Sequence, residues 1–217
     1  MLWITAAWGA CFTFIDWGLR DAPVLWFATL RAAIAGVALV VVGEAQRRPR
    51  PRGRRAWLII ASMAVTNATI AFAAMFAGVD GVATGTAAVL ANAQPLLILL
   101  PAWWLYGERI ESRATTGLAV GFAGLLLVAV SGGGGSGAWL SILAAAAITA
   151  GTLLARRLGG VDIVQAAGWH FVIGAGGLAV LAATVEGVPR IDWTVRFGVS
   201  LAFLALVGTA LAFWAWF

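Results

Sequence analysis

Residues 56–79 read AWLIIASMAVTNATIAFAAMFAGV, an unbroken stretch with no ionisable side chain. A helix of about 20 apolar residues crosses the hydrocarbon core of a bilayer, and this stretch is longer than that. Its apolar residues do not alternate with polar ones, as the strands of a membrane barrel would require. In lipid every backbone amide needs an internal partner, and a continuous apolar run supplies one as a helix. Outward from this stretch, polar and turn-forming residues divide the 217-residue chain into eight such segments, at about 2–19, 24–43, 56–78, 82–105, 114–130, 138–155, 163–184 and 196–217. The expected fold is all-α, a polytopic membrane bundle of about eight transmembrane helices.

Composition excludes the main alternatives. The chain is 62% hydrophobic and 11% charged, with mean hydropathy +0.96, whereas a soluble domain is about one quarter charged. The only cysteine, Cys11, has no partner for an intramolecular disulfide. One Cys with one His makes no zinc cluster, so neither metal nor cofactor is expected. A net charge of +5 would suggest nucleic acid in a soluble protein, but six of the 14 arginines lie together between Arg47 and Arg55. Beside a membrane such a run reads as a cytoplasmic loop near anionic lipid, with no nucleic-acid partner. Residues 2–15 lack the basic lead and the small-residue cleavage site of a signal peptide, and read as a first span at or near the native start.

Charge also sets orientation. With the N-terminus in the cytoplasm, the cytoplasmic loops 44–55, 106–113 and 156–162 hold ten arginines and the opposite loops hold two. The positive-inside rule therefore predicts a multi-pass protein of the cytoplasmic membrane with a cytoplasmic N-terminus.

Segments three and eight share a short likeness, Asn67-Ala68-Thr69-Ile70-Ala71-Phe72 against Gly208-Thr209-Ala210-Leu211-Ala212-Phe213. Each is the third segment of its half when the chain is divided at the tether Ser131-Gly132-Gly133-Gly134-Gly135-Ser136-Gly137. That tether reads as a hinge or as a plain surface loop. Five helices per half is an odd number, so the second half would enter the membrane from the other side, as in the inverted repeats of secondary transporters. The chain closes on the uncapped apolar run Phe213-Trp214-Ala215-Trp216-Phe217. A complete second half would need two more helices, so an incomplete second repeat is expected.

The run Asn92-Ala93-Gln94-Pro95-Leu96-Leu97-Ile98-Leu99-Leu100-Pro101-Ala102-Trp103-Trp104-Leu105-Tyr106-Gly107-Glu108-Arg109 resembles the fourth helix of EamA-type transporters, in the drug/metabolite transporter superfamily. The Gly-rich helix after it (Gly117, Gly121, Gly124), Trp8-Gly9 and Leu30-Arg31 fit the same family. The resemblance covers essentially the whole chain as a single membrane domain, 1–217, with repeat one at about 2–130 and repeat two at about 138–217. It implies ten helices in two inverted five-helix repeats, both termini cytoplasmic, and export or exchange of small metabolites. Two of those ten helices have no counterpart here.

Several residues are candidates for chemistry. Arg31 lies about seven residues, roughly 10 Å, from the outer end of segment two, a depth at which a charge faces a cavity or the bundle interior. It reads as an attractor for an anionic substrate group with Asp16 as its resting partner, or as a structural ion pair or snorkelling side chain. Asn67, Asn92, Gln94 and Thr209 lie near the midplane and offer uncharged hydrogen bonds for a polar cavity, or interhelical bonds. Pro95 is a gating kink or an ordinary membrane-helix proline. Glu108 is a cytoplasmic gate anchor or a solvated helix end. His170 is a proton-coupling group or a packing residue. Trp8 offers an aromatic wall, while most other tryptophans read as interfacial anchors. Gly117-x-x-x-Gly121 allows close packing inside the chain or a homodimer seam.

The expected function is a secondary transporter of small polar metabolites (amino-acid-like, nucleobase-like or drug-like) working by alternating access. A non-transporting assembly module is the alternative. An intramembrane enzyme is disfavoured, because aspartyl chemistry needs two facing carboxylates and Asp16 is the only one within a span. The sequence carries no motif for a loop that cradles nucleotide phosphates, so ATP-driven pumping is not expected.

Overall fold

The computed structural model describes residues 2–98, 101, 104, 112–131 and 135–216, and among these the regular elements are all helices. They are α1 (Leu2–Leu19), α2 (Val24–Ala45), α3 (Arg54–Gly81), α4 (Thr84–Ala91), α5 (Gln94–Leu97), α6 (Ser112–Ser131), α7 (Gly135–Ala155), α8 (Ile163–Val185) and α9 (Val195–Ala215). Six of them, α1, α2, α3, α7, α8 and α9, are long and apolar enough to span a bilayer; the apolar part of α6, Thr115–Ser131, is shorter. Val37 and Val41 on α2, Leu126 and Leu127 on α6, and Val180 on α8 point outward, as side chains in contact with lipid tails do. The chain is a polytopic helical membrane protein.

Segment four departs from the expected continuous helix over 82–105. α4 ends at Asn92, whose side-chain amide donates to the Ala88 carbonyl (2.8 Å), and the chain restarts as α5 with Pro95 in its first turn. Proline lacks an N–H and disfavours helix in the residue before it, so it is tolerated at a helix start and not in its interior. Most of the segment beyond Ile98, and Glu108 after it, lies outside the described residues.

Close packing depends on small residues. Lipid tails are as apolar as leucine, so membrane helices gain little from burial and associate through fit and polar bonds. α2 and α8 run antiparallel with Gly36 against Val172 and Gly168 against Val40. α3 and α7 run antiparallel with Gly81 against Gly137, Gly78 against Ser141, and Asn67 against Gly151. In the fifth segment Gly121 packs on Leu96, while a side-chain carbon added at Gly117 would meet nothing within 4 Å among the described residues.

Polar clamps close both ends of the α2–α8 pair. At one end Pro23 precedes α2 and has no side-chain cap to offer. Glu186 caps the helix from across the bundle, accepting from the backbone N–H groups of Leu25 (2.8 Å) and Trp26 (3.2 Å). Asp21, in the turn between α1 and α2, accepts from Arg196 (2.6 and 2.8 Å) and from the Thr194 hydroxyl (2.8 Å). The Arg196 guanidinium holds the Asp21 carboxyl below the usual carboxylate range, with the Thr194 bond acting in the same direction. At the other end Arg48 meets Asp162 (3.1 Å), while Glu44 accepts from Arg50 (2.7 and 2.9 Å) and Gln165 (3.1 Å).

Two helices widen in mid-course. α3 adopts π geometry over Ala64–Ile70 and α9 over Phe203–Leu211. The two short stretches that resemble each other in sequence fall on these wide turns or run out of them. π turns inside α-helices frequently mark functional sites.

Candidate functional site

Arg31 forms the centre of the bundle. It is 4% exposed, and neither of its polar contacts is a carboxylate. Nε donates to the Thr209 hydroxyl (3.2 Å), Nη2 lies 3.9 Å from Cys11 Sγ, and Nη1 has no hydrogen-bond partner among the described residues. The guanidinium carbon stands 4.5 Å from the centre of the Phe72 ring and 5.7 Å from that of Phe76. Phe72 and Phe76 lie one helical turn apart on α3, so both rings meet the cation from the same face. Four helices thus converge on one charge: α1 through Cys11, α2 through Arg31, α3 through the phenylalanines and α9 through Thr209.

The energetics of this arrangement are unusual. An unpaired ion in a low-dielectric interior costs several kcal/mol, and a desolvated cation–π contact returns about 2 kcal/mol. Thr209 is itself committed, donating to the Leu204 carbonyl five residues back (2.8 Å), across the π turn. The guanidinium therefore keeps unused donor capacity suited to a carboxylate or phosphate, which it binds in bidentate fashion.

The expected pairing of Arg31 with Asp16 does not occur. Asp16 bonds Arg20, four residues on along α1 (3.3 Å), and both side chains are well exposed. Similar depth was not enough, because helix rotation turns Asp16 outward and Arg31 inward.

The aromatic lining continues from Arg31 toward His170. Phe72 contacts Phe171 (5.5 Å between centroids), and Phe171 meets Phe213 edge-on (5.2 Å). Phe213 faces the His170 ring at 6.3 Å. His170 is 1% exposed; its Nδ1 lies 3.3 Å from the Ala166 carbonyl, and Nε2 has no partner among the described residues. Two buried polar groups with spare hydrogen-bonding capacity thus flank one phenylalanine wall. Trp8, expected to provide the aromatic surface, is half-buried three residues before Cys11.

The uncharged candidates separate. Asn67, on the α3 π turn, packs against Gly151 of α7. Gln94 donates to the hydroxyl of the next residue, Thr152 (2.9 Å). These two side chains reach successive residues of α7, Gly151 and Thr152. Asn92 does not join them: it is exposed and bonds within its own helix. Pro95 is also exposed, and it marks a break between two helices where a kink was expected.

Sequence reasoning missed Cys11, Phe72, Phe76, Phe171 and Thr152. The i, i+4 spacing of Phe72 and Phe76 beyond the repeated stretch was the available signal, but in a chain this rich in apolar residues it does not stand out.

Comparisons with known proteins agree with this architecture. A solved protein crystal structure of 19% identity superposes with a TM-score of 0.66, covering 98% of this chain and 78% of the other, which shows a shared fold. A chloroplastic WAT1-related protein of Arabidopsis thaliana is 31% identical over 240 aligned residues; these span 94% of this chain and 57% of the relative, so the chain covers little more than half of that protein's length. A probable terminal-alkyne amino-acid exporter of Streptantibioticus cattleyicolor is 28% identical, with 96% of this chain and 71% of the relative aligned. The EamA-like transporter family model matches residues 1–130, three-fifths of the chain, and the chain belongs to that family.

Proposed function

We propose that the chain forms the core of a secondary transporter that exports or exchanges small polar metabolites bearing a carboxylate or similar anionic group. Arg31 holds the anion, and Phe72, Phe171 and Phe213 face the apolar remainder of the substrate. Asn67 and Gln94 line the α7 side of the path, and His170 serves coupling. Amino acids, the class named for the Streptantibioticus relative, have the required shape: one carboxylate on a compact body. The protein lies in the cytoplasmic membrane with its N-terminus inside, and its two inverted halves exchange access to the site. Supporting the inverted-half reading, the third helix of each half carries a π turn at the repeated stretch.

One observation carries the proposal: a buried guanidinium held in place by a hydroxyl and aromatic rings, with a free donor edge and no acidic partner among the described residues. A purely structural arginine is held by carboxylates or carbonyls that satisfy all its donors.

Cys11 provides the test, being the only cysteine and lying 3.9 Å from the guanidinium. In membrane vesicles, an anionic methanethiosulfonate reagent should label Cys11 faster than a cationic one, and carboxylate amino acids should slow the reaction. In Arg31→Met the charge preference and the protection should both disappear. Labelling that ignores reagent charge and substrate in the parent protein would overturn the assignment.

A further inference from the structure

A second basic site lies at the membrane boundary, well away from Arg31. The start of α3 and the end of α7 enclose a groove of about 530 Å³. Its water-facing rim carries Arg54, Arg55 and Arg157, and its wall carries Leu58, Ile59 and Leu154. Among the described residues no carboxylate lines it. Among the described residues, none of these three arginine side chains makes an ion pair or hydrogen bond, whereas Arg48 and Arg50 nearby are both taken by carboxylates.

The order of residues along α3 gives the groove a direction. Arg54, Leu58 and Ser62 succeed one another at i, i+4, i+8, and Arg55 is followed by Ile59 on the next row. Residues four apart stack on one helix face, so each row begins with a cation at the water end and continues with an apolar residue, and Ser62 beyond Leu58 turns its hydroxyl back to the Leu58 carbonyl. Leu58 is 56% exposed, so the wall opens sideways to lipid. At the end of α7, Leu154 is followed by Arg157 in the turn beyond the helix, with the same polarity. A free anion would use the rim and leave the wall without a role. A phospholipid uses both, with its phosphate among the arginines and its acyl chain along the leucines.

We infer that this groove binds one anionic phospholipid of the cytoplasmic leaflet, its phosphate held by Arg54, Arg55 and Arg157. The guanidinium is the preferred partner of phosphate oxygens, and basic pockets between helices on the cytoplasmic side recognise anionic head groups. A lipid held there bridges the start of α3 to the end of α7, and so reinforces the pair that carries Asn67 and Gly151.

Native mass spectrometry of the purified full chain, with phosphatidylglycerol, phosphatidylcholine or inorganic phosphate added, tests the inference. The parent should retain one phosphatidylglycerol in preference to phosphatidylcholine. Arg54→Gln with Arg157→Gln should weaken retention by roughly twenty-five-fold, at about fivefold per arginine lost. Arg47→Gln with Arg52→Gln removes the same charge from outside the groove and should change retention by less than about twofold. Equal weakening in the two pairs would reduce the effect to net charge and overturn the site. Displacement of the lipid by millimolar phosphate would overturn the lipid assignment in favour of a free anion. Photo-crosslinking of the parent protein with a diazirine-tailed phosphatidylglycerol covers the case in which the variants fail to fold. Adducts should concentrate on residues 54–62 and 152–157, and an even spread over all spans would overturn the proposal.

Discussion

The two helices that widen into π turns cross their neighbours in opposite ways. Where α3 meets α8, Ala68 sits against Gly174, and a side-chain carbon added at Gly174 would also come within 3.1 Å of the Ala64 carbonyl oxygen. Where α9 meets α2, the matching residue Thr209 receives the Arg31 guanidinium. A second pair of contacts is reversed in size: Asn67 of α3 lies on Gly151 of α7, whereas Gly208 of α9 lies under Cys11 of α1. One crossing is small, apolar and closed; the other holds a charge and a thiol. Similar backbone frames thus give one crossing a packing seam and the other a buried charge. The specialisation comes from a few side chains placed where the helices come closest.

The largest effect should come from the closed crossing. Gly174→Leu drives a side chain into α3 backbone that has no freedom to yield, and should cost about 3 kcal/mol or more in unfolding measurements made in detergent. A cost below about 1 kcal/mol would mean the seam is looser than its geometry, and the comparison would fail.

Arg31→Met probes the open crossing and should act in the reverse sense on stability. Replacing an unsatisfied buried ion with an apolar side chain of similar length should leave the protein as stable, or more stable by about 1–3 kcal/mol. Transport of carboxylate substrates by proteoliposomes should be lost in the same variant. Destabilisation of about 3–5 kcal/mol, the cost of breaking a buried pair, would make Arg31 a structural residue.

A smaller effect is expected at Gly208. Its added methyl meets the Cys11 thiol, which can rotate, so Gly208→Ala should cost about 1–2 kcal/mol and Cys11→Ala should relieve most of it. Additive costs in the double-mutant cycle would show that the two residues do not share a contact.

The smallest effect concerns pH at the end clamp. Asp21 is outside the spans, and its carboxyl is held below its ordinary range by Arg196. A carboxylate with a depressed folded pKa contributes stability above its unfolded pKa and loses it as pH falls through the folded value. Thermal midpoints should therefore fall more steeply below about pH 4 in the parent than in Asp21→Asn. Parallel curves would remove Asp21 from the clamp.

These contrasts show which features are legible in a membrane sequence. Helix placement was, because the hydrocarbon core sets the length of every span, and continuous apolar runs have one solution there. The likeness of segments three and eight was also readable, and both received π turns. The break after α4 was not foreseen: Asn92 and Pro95 were read as a cavity donor and a kink, and the two together end one helix and start another. The Asp16–Arg31 pairing failed for a different reason. Sequence gives depth along a helix well, but rotation about its axis poorly when apolar residues cover every face, as they do on α1 and α2.

By itself the sequence determined that this chain lives in lipid, that it crosses repeatedly as helices, and that Arg31 sits too deep to be an ordinary surface charge. Only the tertiary structure decided what surrounds that charge. Cys11, Phe72 and Thr209 come from three other helices, and no periodicity within one helix records the rotation of its neighbours. The same holds for the cap that Glu186 places on α2 and for the groove between α3 and α7. Span length is imposed locally by the thickness of the solvent, whereas a site shared by four helices is set by how their surfaces fit.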